Sequence, residues 1–112
     1  MTIQHVSLET RPADVEAELA FWAVLGFEPV EPPGSLGERS AWMQRGATQV
    51  HLLFEDEPVV PPEYHVAVVV DDYDAVTRAL DVEPRTQHWG APRGFVRSPG
   101  GHRVEVMAAP PA

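Results

Sequence analysis

The chain runs twice through one order of elements, and this internal repeat limits the possible folds more than any other feature. Residues 3–9 read as a strand, with Ile3, Val6 and Leu8 apolar and polar residues between. A helix follows, capped by Thr10, with Pro12 in its first turn and Asp14, Glu16 and Glu18 at its positive end. Val15, Leu19 and Trp22 sit at helical spacing, Phe21 and Leu25 widen the stripe, and Gly26 stops it. Strands are expected at residues 27–30, 39–45 and 48–54, with a loop over 31–37 and a turn at Gly46. Then the grammar restarts. Residues 64–70 form a valine-rich strand, and Asp71 or Asp72 caps a helix carrying Tyr73, Val76 and Leu80. Strands at 82–88, 95–97 and 103–107 complete the second pass, with a turn-rich loop at 89–94. Each half is too small to bury a comfortable core alone. The sequence therefore predicts one α+β domain over residues 1–112. Its parts are a first βαβββ module (1–55), a linker (56–63), a second module (64–107) and a tail (108–112).

Composition excludes several classes of function. There are 17 acidic and 8 basic residues, no lysine and a net charge of −9, so nucleic acid and anionic membranes are not expected partners. The absence of cysteine removes thiol catalysis, thiolate metal sites and disulfides. No stretch approaches the roughly 20 apolar residues of a membrane helix, and the first residues lack the pattern of a signal peptide. The expected location is the cytoplasm.

Strand alternation gathers the chemically able residues on one face. Val6, Leu8, Val50, Leu52, Val66, Val68, Val104 and Val106 form the apolar set that suits the helices. The opposite set carries His5, His51, His65 and Glu105, each from a different strand. His5 matches His65 in the repeat, and His51 matches Glu105. Imidazole nitrogen and carboxylate oxygen are ordinary ligands of Zn²⁺, Fe²⁺, Ni²⁺, Co²⁺ and Mn²⁺. A metal would also offset the cost of burying Glu105.

These residues resemble the vicinal oxygen chelate superfamily, which includes glyoxalases, bleomycin-resistance proteins and ring-cleaving dioxygenases. The resemblance spans nearly the whole chain. It rests on His5-Val6-Ser7-Leu8, Phe21-Trp22-x-x-Leu25-Gly26-Phe27, His51-Leu52, His65-Val66-Ala67 and Pro99-Gly100-Gly101-His102-Arg103-Val104-Glu105-Val106. It implies two βαβββ modules curling into a U-shaped, eight-stranded mixed sheet, with helices on the outer face and a divalent metal inside. It also implies His5, His51, His65 and Glu105 as metal ligands, and a homodimer that protects open sheet edges. His51 departs from the pattern, because glyoxalases carry a second glutamate there. A two-glutamate proton shuttle is thus not available, and Glu105 is left as the one carboxylate base.

Two functional readings follow. The first is a metal-dependent lyase, isomerase or dioxygenase acting on a small oxygen-chelating substrate, with Glu105 catalytic. The second is a protein that sequesters a small molecule, as bleomycin-resistance proteins do. Substrate contacts are expected from Ser7 and Gln49, which share the ligand face, from Trp42, Trp89 and Phe95 as apolar walls, and from Arg93 and Arg103, whose forks suit anions. Arg97 is a further anion candidate. His88 and His102 read as structural.

Overall fold

The computed structural model describes residues 2–87 and 90–110. The element order is β1 (His5–Thr10), α1 (Val15–Val24), β2 (Glu28–Val30), β3 (Ser40–Arg45), β4 (Thr48–Phe54), β5 (His65–Val69), α2 (Tyr73–Leu80), β6 (Arg85–Gln87), β7 (Gly90–Arg97) and β8 (Arg103–Met107). The protein is α+β and consists of two βαβββ modules. Their strands fall into two four-stranded sheets, ordered β1-β4-β3-β2 and β5-β8-β7-β6. In each, the first strand runs parallel to the fourth and the remaining pairs are antiparallel. The eight strands expected in one sheet are thus hydrogen-bonded as two sets of four. The chain divides into two compact units between Val60 and Pro61, inside the proline-rich stretch 56–63.

In the first unit, Thr10 is not the expected helix cap. It closes β1, buried to 1% exposure, and a short 3-10 turn at Pro12–Asp14 leads into α1. Proline with its fixed φ suits that opening turn. Gly26 ends the helix at φ +94°, where a Cβ would also lie 3.2 Å from the Arg45 side chain. The core comprises Phe21, Trp22, Leu25, Phe27, Met43, Val50 and Leu52. Phe21 and Phe27 each meet the Trp22 ring edge-on, at centroid distances of 5.5 and 5.4 Å. Glu18 lies in the first turn of α1, as expected, but not at the surface. It is fully buried, and Trp22 Nε1 donates to its Oε1 at 3.4 Å.

The second unit packs α2 against β8 around Val68, Val70, Tyr73, Val76, Val82, Val104 and Val106. Of the two cap candidates, Asp72 does the work: its Oδ1 accepts from the Ala75 N–H at 3.1 Å. Of the strand expected over 82–88, the described residues show Arg85–Gln87 as strand and 82–84 outside it, and His88 lies outside the described residues. The loop expected over 89–94 is overturned from residue 90 onward, since Gly90–Arg97 is a strand that pairs with β6 and, from Arg93, with β8. Its glycine and proline suggested turns, but Gly94 serves a close approach. A Cβ there would collide with the Val82 side chain and lie 3.0 Å from the Glu83 carbonyl. The Gly94→Ala variant is therefore expected to lose about 1–3 kcal/mol, the usual cost of overpacking. A thermal melt showing no loss would remove this role.

Candidate functional site

Within the first unit, the face opposite the core carries a stack of rings. Trp42 and His51 are register partners on β3 and β4. Their rings lie parallel, with centroids 3.8 Å apart and 4° between planes. His5 stacks on the same imidazole at 4.2 Å and 15°. Ser7 lies beside His51 in the β1–β4 register. His51 Nε2 is 2.8 Å from Gln49 Oε1, and His5 Nδ1 is 2.7 Å from Gln4 Oε1. A cavity of about 310 Å³ opens against Trp42 and His51, with Leu36, Leu53 and Phe54 as apolar walls and Arg39 and Glu55 also lining it.

His51 is buried, with 6% of its surface exposed. Burial, and then the charge of His5, pull its pKa below the ordinary value of 6.5. The unfolded chain therefore binds a proton near pH 6.5 that the folded chain resists. Stability attributable to His51 is full above that pH and is lost as pH falls toward the lower folded value. Metal-free protein is expected to melt lower at pH 5.5 than at pH 7.5. The His51→Phe variant, which keeps a flat ring, should show a smaller difference. Equal pH dependence in both proteins would remove His51 as the cause.

The second unit assembles a charged cluster. Glu105, on β8 with its side chain 7% exposed, is held at both oxygens. His65 Nε2 lies 3.1 Å from Oε1, and Arg93 Nη1 donates to Oε2 at 2.8 Å. Phe95 packs beside them, with the His65 ring edge-on at 5.2 Å and the Arg103 guanidinium 4.0 Å from the ring centroid. Arg103 also reaches the carbonyl and carboxylate of Glu63 at 3.4 Å. The sequence-based candidates Arg93, Phe95, Arg103, His65 and Glu105 thus come together. Arg97 turns elsewhere, donating to the Pro62 and Gly101 carbonyls. His102 is a buried turn residue whose N–H donates to Ser98 Oγ. Trp89 and His88 lie outside the described residues.

The four expected metal ligands thus appear as two pairs, one in each unit. Among the described residues, no group of three or more His, Asp or Glu is gathered to hold a metal ion. The chemistry of the second pair nevertheless suits one. His65 Nδ1 lies 3.1 Å from the Glu63 carbonyl, an acceptor, so Nδ1 carries the proton. In its neutral form the ring would turn the bare lone pair of Nε2 toward the acceptor Glu105 Oε1. Two acceptors 3.1 Å apart need a proton or a cation between them. Two ligands sharing one metal at about 2.1 Å each stand about 3.0–3.4 Å apart. The Glu63 carbonyl and Arg93 supply the outer partners that orient such ligands.

Sequence reasoning missed Glu63, Gln44 and Arg39. Glu63 was placed in the linker, although its spacing of two from His65 hinted at a shared side. Gln44 could have been found by pairing it across the Gly46 turn with Gln49.

No protein-family model matches the chain, and no curated protein matches it significantly in sequence. Solved structures do match. A Bacillus anthracis protein described as a glyoxalase family member is 24% identical, with TM-score 0.77, covering 96% of this chain and 93% of that one. Lactoylglutathione lyase from Agrobacterium tumefaciens is 22% identical, with TM-score 0.64 and coverages of 95% and 92%. A bleomycin resistance determinant encoded on transposon Tn5 is 17% identical, with TM-score 0.59 and coverages of 91% and 94%. The fold is that of the vicinal oxygen chelate superfamily. These identities carry the fold and not the activity.

Proposed function

We propose that this protein is a divalent-metal-dependent enzyme of the glyoxalase type. It acts on a small substrate that chelates through neighbouring oxygens, by lyase, isomerase or dioxygenase chemistry. The observation that carries this reading is the His65–Glu105 pair, with one imidazole nitrogen committed to a carbonyl and the other aimed at a carboxylate. Zn²⁺, Fe²⁺, Ni²⁺, Co²⁺ and Mn²⁺ all suit such donors. His5 and His51 are the donors proposed from the first module. When bound, the cation polarises substrate oxygens and stabilises negative charge as it develops.

The remaining work falls to the chain's own groups. Arg93 occupies Glu105 Oε2, so Glu105 ligates or takes a proton through Oε1. Arg93 and Arg103 beside Phe95 balance Glu105 and Glu63 in charge. A divalent cation would leave an excess of two positive charges, which favours an anionic substrate. Ser7, Gln49 and Trp42 add polar and aromatic contacts, and Trp89 is retained from its sequence position. A cytoplasmic homodimer binding this small molecule completes the reading.

The deciding experiment is metal content per chain by mass spectrometry, on protein purified without chelator or affinity metal. Near one metal per chain is expected, and less than a tenth of that in His65→Ala. A second reading, sequestration of a small molecule, draws on the cavity walled by Trp42, Leu36, Leu53 and Phe54. No metal in the purified protein, and none taken up on titration, would leave that reading alone.

A further inference from the structure

The polar chain leading to His51 has a fixed direction. It begins at the Gly46 carbonyl, which can only accept. Gln44 Nε2 donates to that carbonyl at 3.0 Å. The remaining oxygen of Gln44 accepts from Gln49 Nε2 at 2.8 Å. Gln49 is then left with its Oε1 toward His51 Nε2, at 2.8 Å. A side-chain amide offers one oxygen and one NH₂ group, so fixing one end fixes the other. The carbonyl at the far end therefore dictates which imidazole nitrogen carries the proton.

We propose that Gln44 and Gln49 are positioning residues that lock His51 as its Nε2–H tautomer and withhold that nitrogen from a metal. The lock is mechanical as well as electrostatic. Trp42 at 3.8 Å and His5 at 4.2 Å flank the imidazole on its two faces, which resists tilting of the ring away from Gln49. A donated proton on Nε2 excludes a metal bond at the same atom. His51 is thereby a clamped wall of the ring stack, and Nδ1 is the one nitrogen it could still offer to a cation. His65 is arranged the other way round: its Nδ1 faces the Glu63 carbonyl, so the neutral form of the ring carries its lone pair on Nε2. The two modules thus use equivalent strands for different tasks, β4 to hold a neutral ring and β8 to present a carboxylate. The inference deepens the proposed function by restricting its ligand set, and it is tested without metal. It can therefore fail while metal binding stands, and the reverse.

The test is long-range ¹H–¹⁵N correlation spectroscopy of metal-free protein labelled at histidine, at a pH where the rings are neutral. His51 is assigned by its loss in His51→Phe. The expected spectrum shows Nε2 as the protonated, pyrrole-type nitrogen of His51 and Nδ1 as the bare one, in a single tautomer. In Gln49→Leu the tautomers are expected to mix or to reverse. Gln49→Glu, whose carboxylate still accepts from Nε2–H, should restore the wild-type pattern. Gln44→Leu, more exposed and less costly to the fold, should loosen it in the same direction. A wild-type His51 protonated at Nδ1 would overturn the proposal. So would a Gln44→Leu or Gln49→Leu protein with an intact amide spectrum and an unchanged His51.

Discussion

Replacing Trp22 with alanine is expected to lower the melting temperature by roughly 15 °C or more. Trp22 is fully buried and makes edge-on ring contacts with both Phe21 and Phe27. Truncating a buried tryptophan to alanine typically costs about 3–5 kcal/mol, against a total stability of about 5–15 kcal/mol. A second loss adds to the cavity. Trp22 Nε1 donates to the fully buried Glu18, so the variant strips a donor from a carboxyl group that water cannot reach. Trp22→Phe refills most of the volume but not the N–H. It should therefore lie between the wild type and Trp22→Ala, and Trp22→Phe with Glu18→Gln should recover part of the difference. Thermal melts followed by circular dichroism would decide. A fall below about 5 °C in Trp22→Ala would mean that the first core does not depend on this residue.

The repeat was legible because it is written in elements that sequence encodes strongly. β4 and β8 begin and end as the alternation of Val50-His51-Leu52 and Val104-Glu105-Val106 requires. Gly26 and Asp72 mark helix ends by local backbone chemistry, and both are where they were expected. The errors share a different cause. Gly94 was read as a turn because glycine permits unusual backbone angles. Its actual reason is a tertiary approach of Val82 and Glu83, which no local pattern reveals. Thr10 was read as a cap from its type alone, but proline two residues later starts the helix with a 3-10 turn instead. Glu18 suits the positive end of α1 by its charge, yet the fold buries it completely. Its tryptophan partner lies one helical turn away, and only the packing makes the pair necessary.

The candidate site was legible to the level of faces and no further. Alternation placed His65 and Glu105 on one side of their sheet, and the β5–β8 register puts Ala67 opposite Glu105, so that His65 is a diagonal neighbour. Phe95 is directly opposite Glu105 across β7 and β8, and Arg93 reaches the carboxylate from two residues away on β7. The missed loop at 89–94 hid this, because Arg93 was not then assigned to a strand facing Glu105. Nor could sequence indicate which nitrogen of each histidine is protonated. That follows from the Glu63 carbonyl in one module and the Gly46 carbonyl in the other, contacts made across turns and sheet registers.

Glu105→Gln is expected to abolish metal-dependent stabilisation while leaving the protein folded. In wild type, a cation at about 100 times its dissociation constant adds about 2.7 kcal/mol to the folded state, which for a chain of this size raises the melting temperature by roughly 10 °C. The amide keeps the shape of the carboxylate and one acceptor oxygen, so it can still accept from Arg93 Nη1. It loses the negative charge that pairs with Arg93 and that draws a cation to Oε1. The ion pair is partly shielded, with the Arg93 side chain 23% exposed and able to turn toward water. The folding cost in metal-free protein should accordingly be about 1–3 kcal/mol, the range for hydrogen bonds to charged groups. The large change should appear only when Zn²⁺ or Co²⁺ is added: a rise of roughly 10 °C in wild type and about none in the variant. Equal rises in both would remove Glu105 from the metal site. No rise in wild type at millimolar metal would remove the metal from the function and leave the aromatic cavity beside Trp42 as the feature to explain.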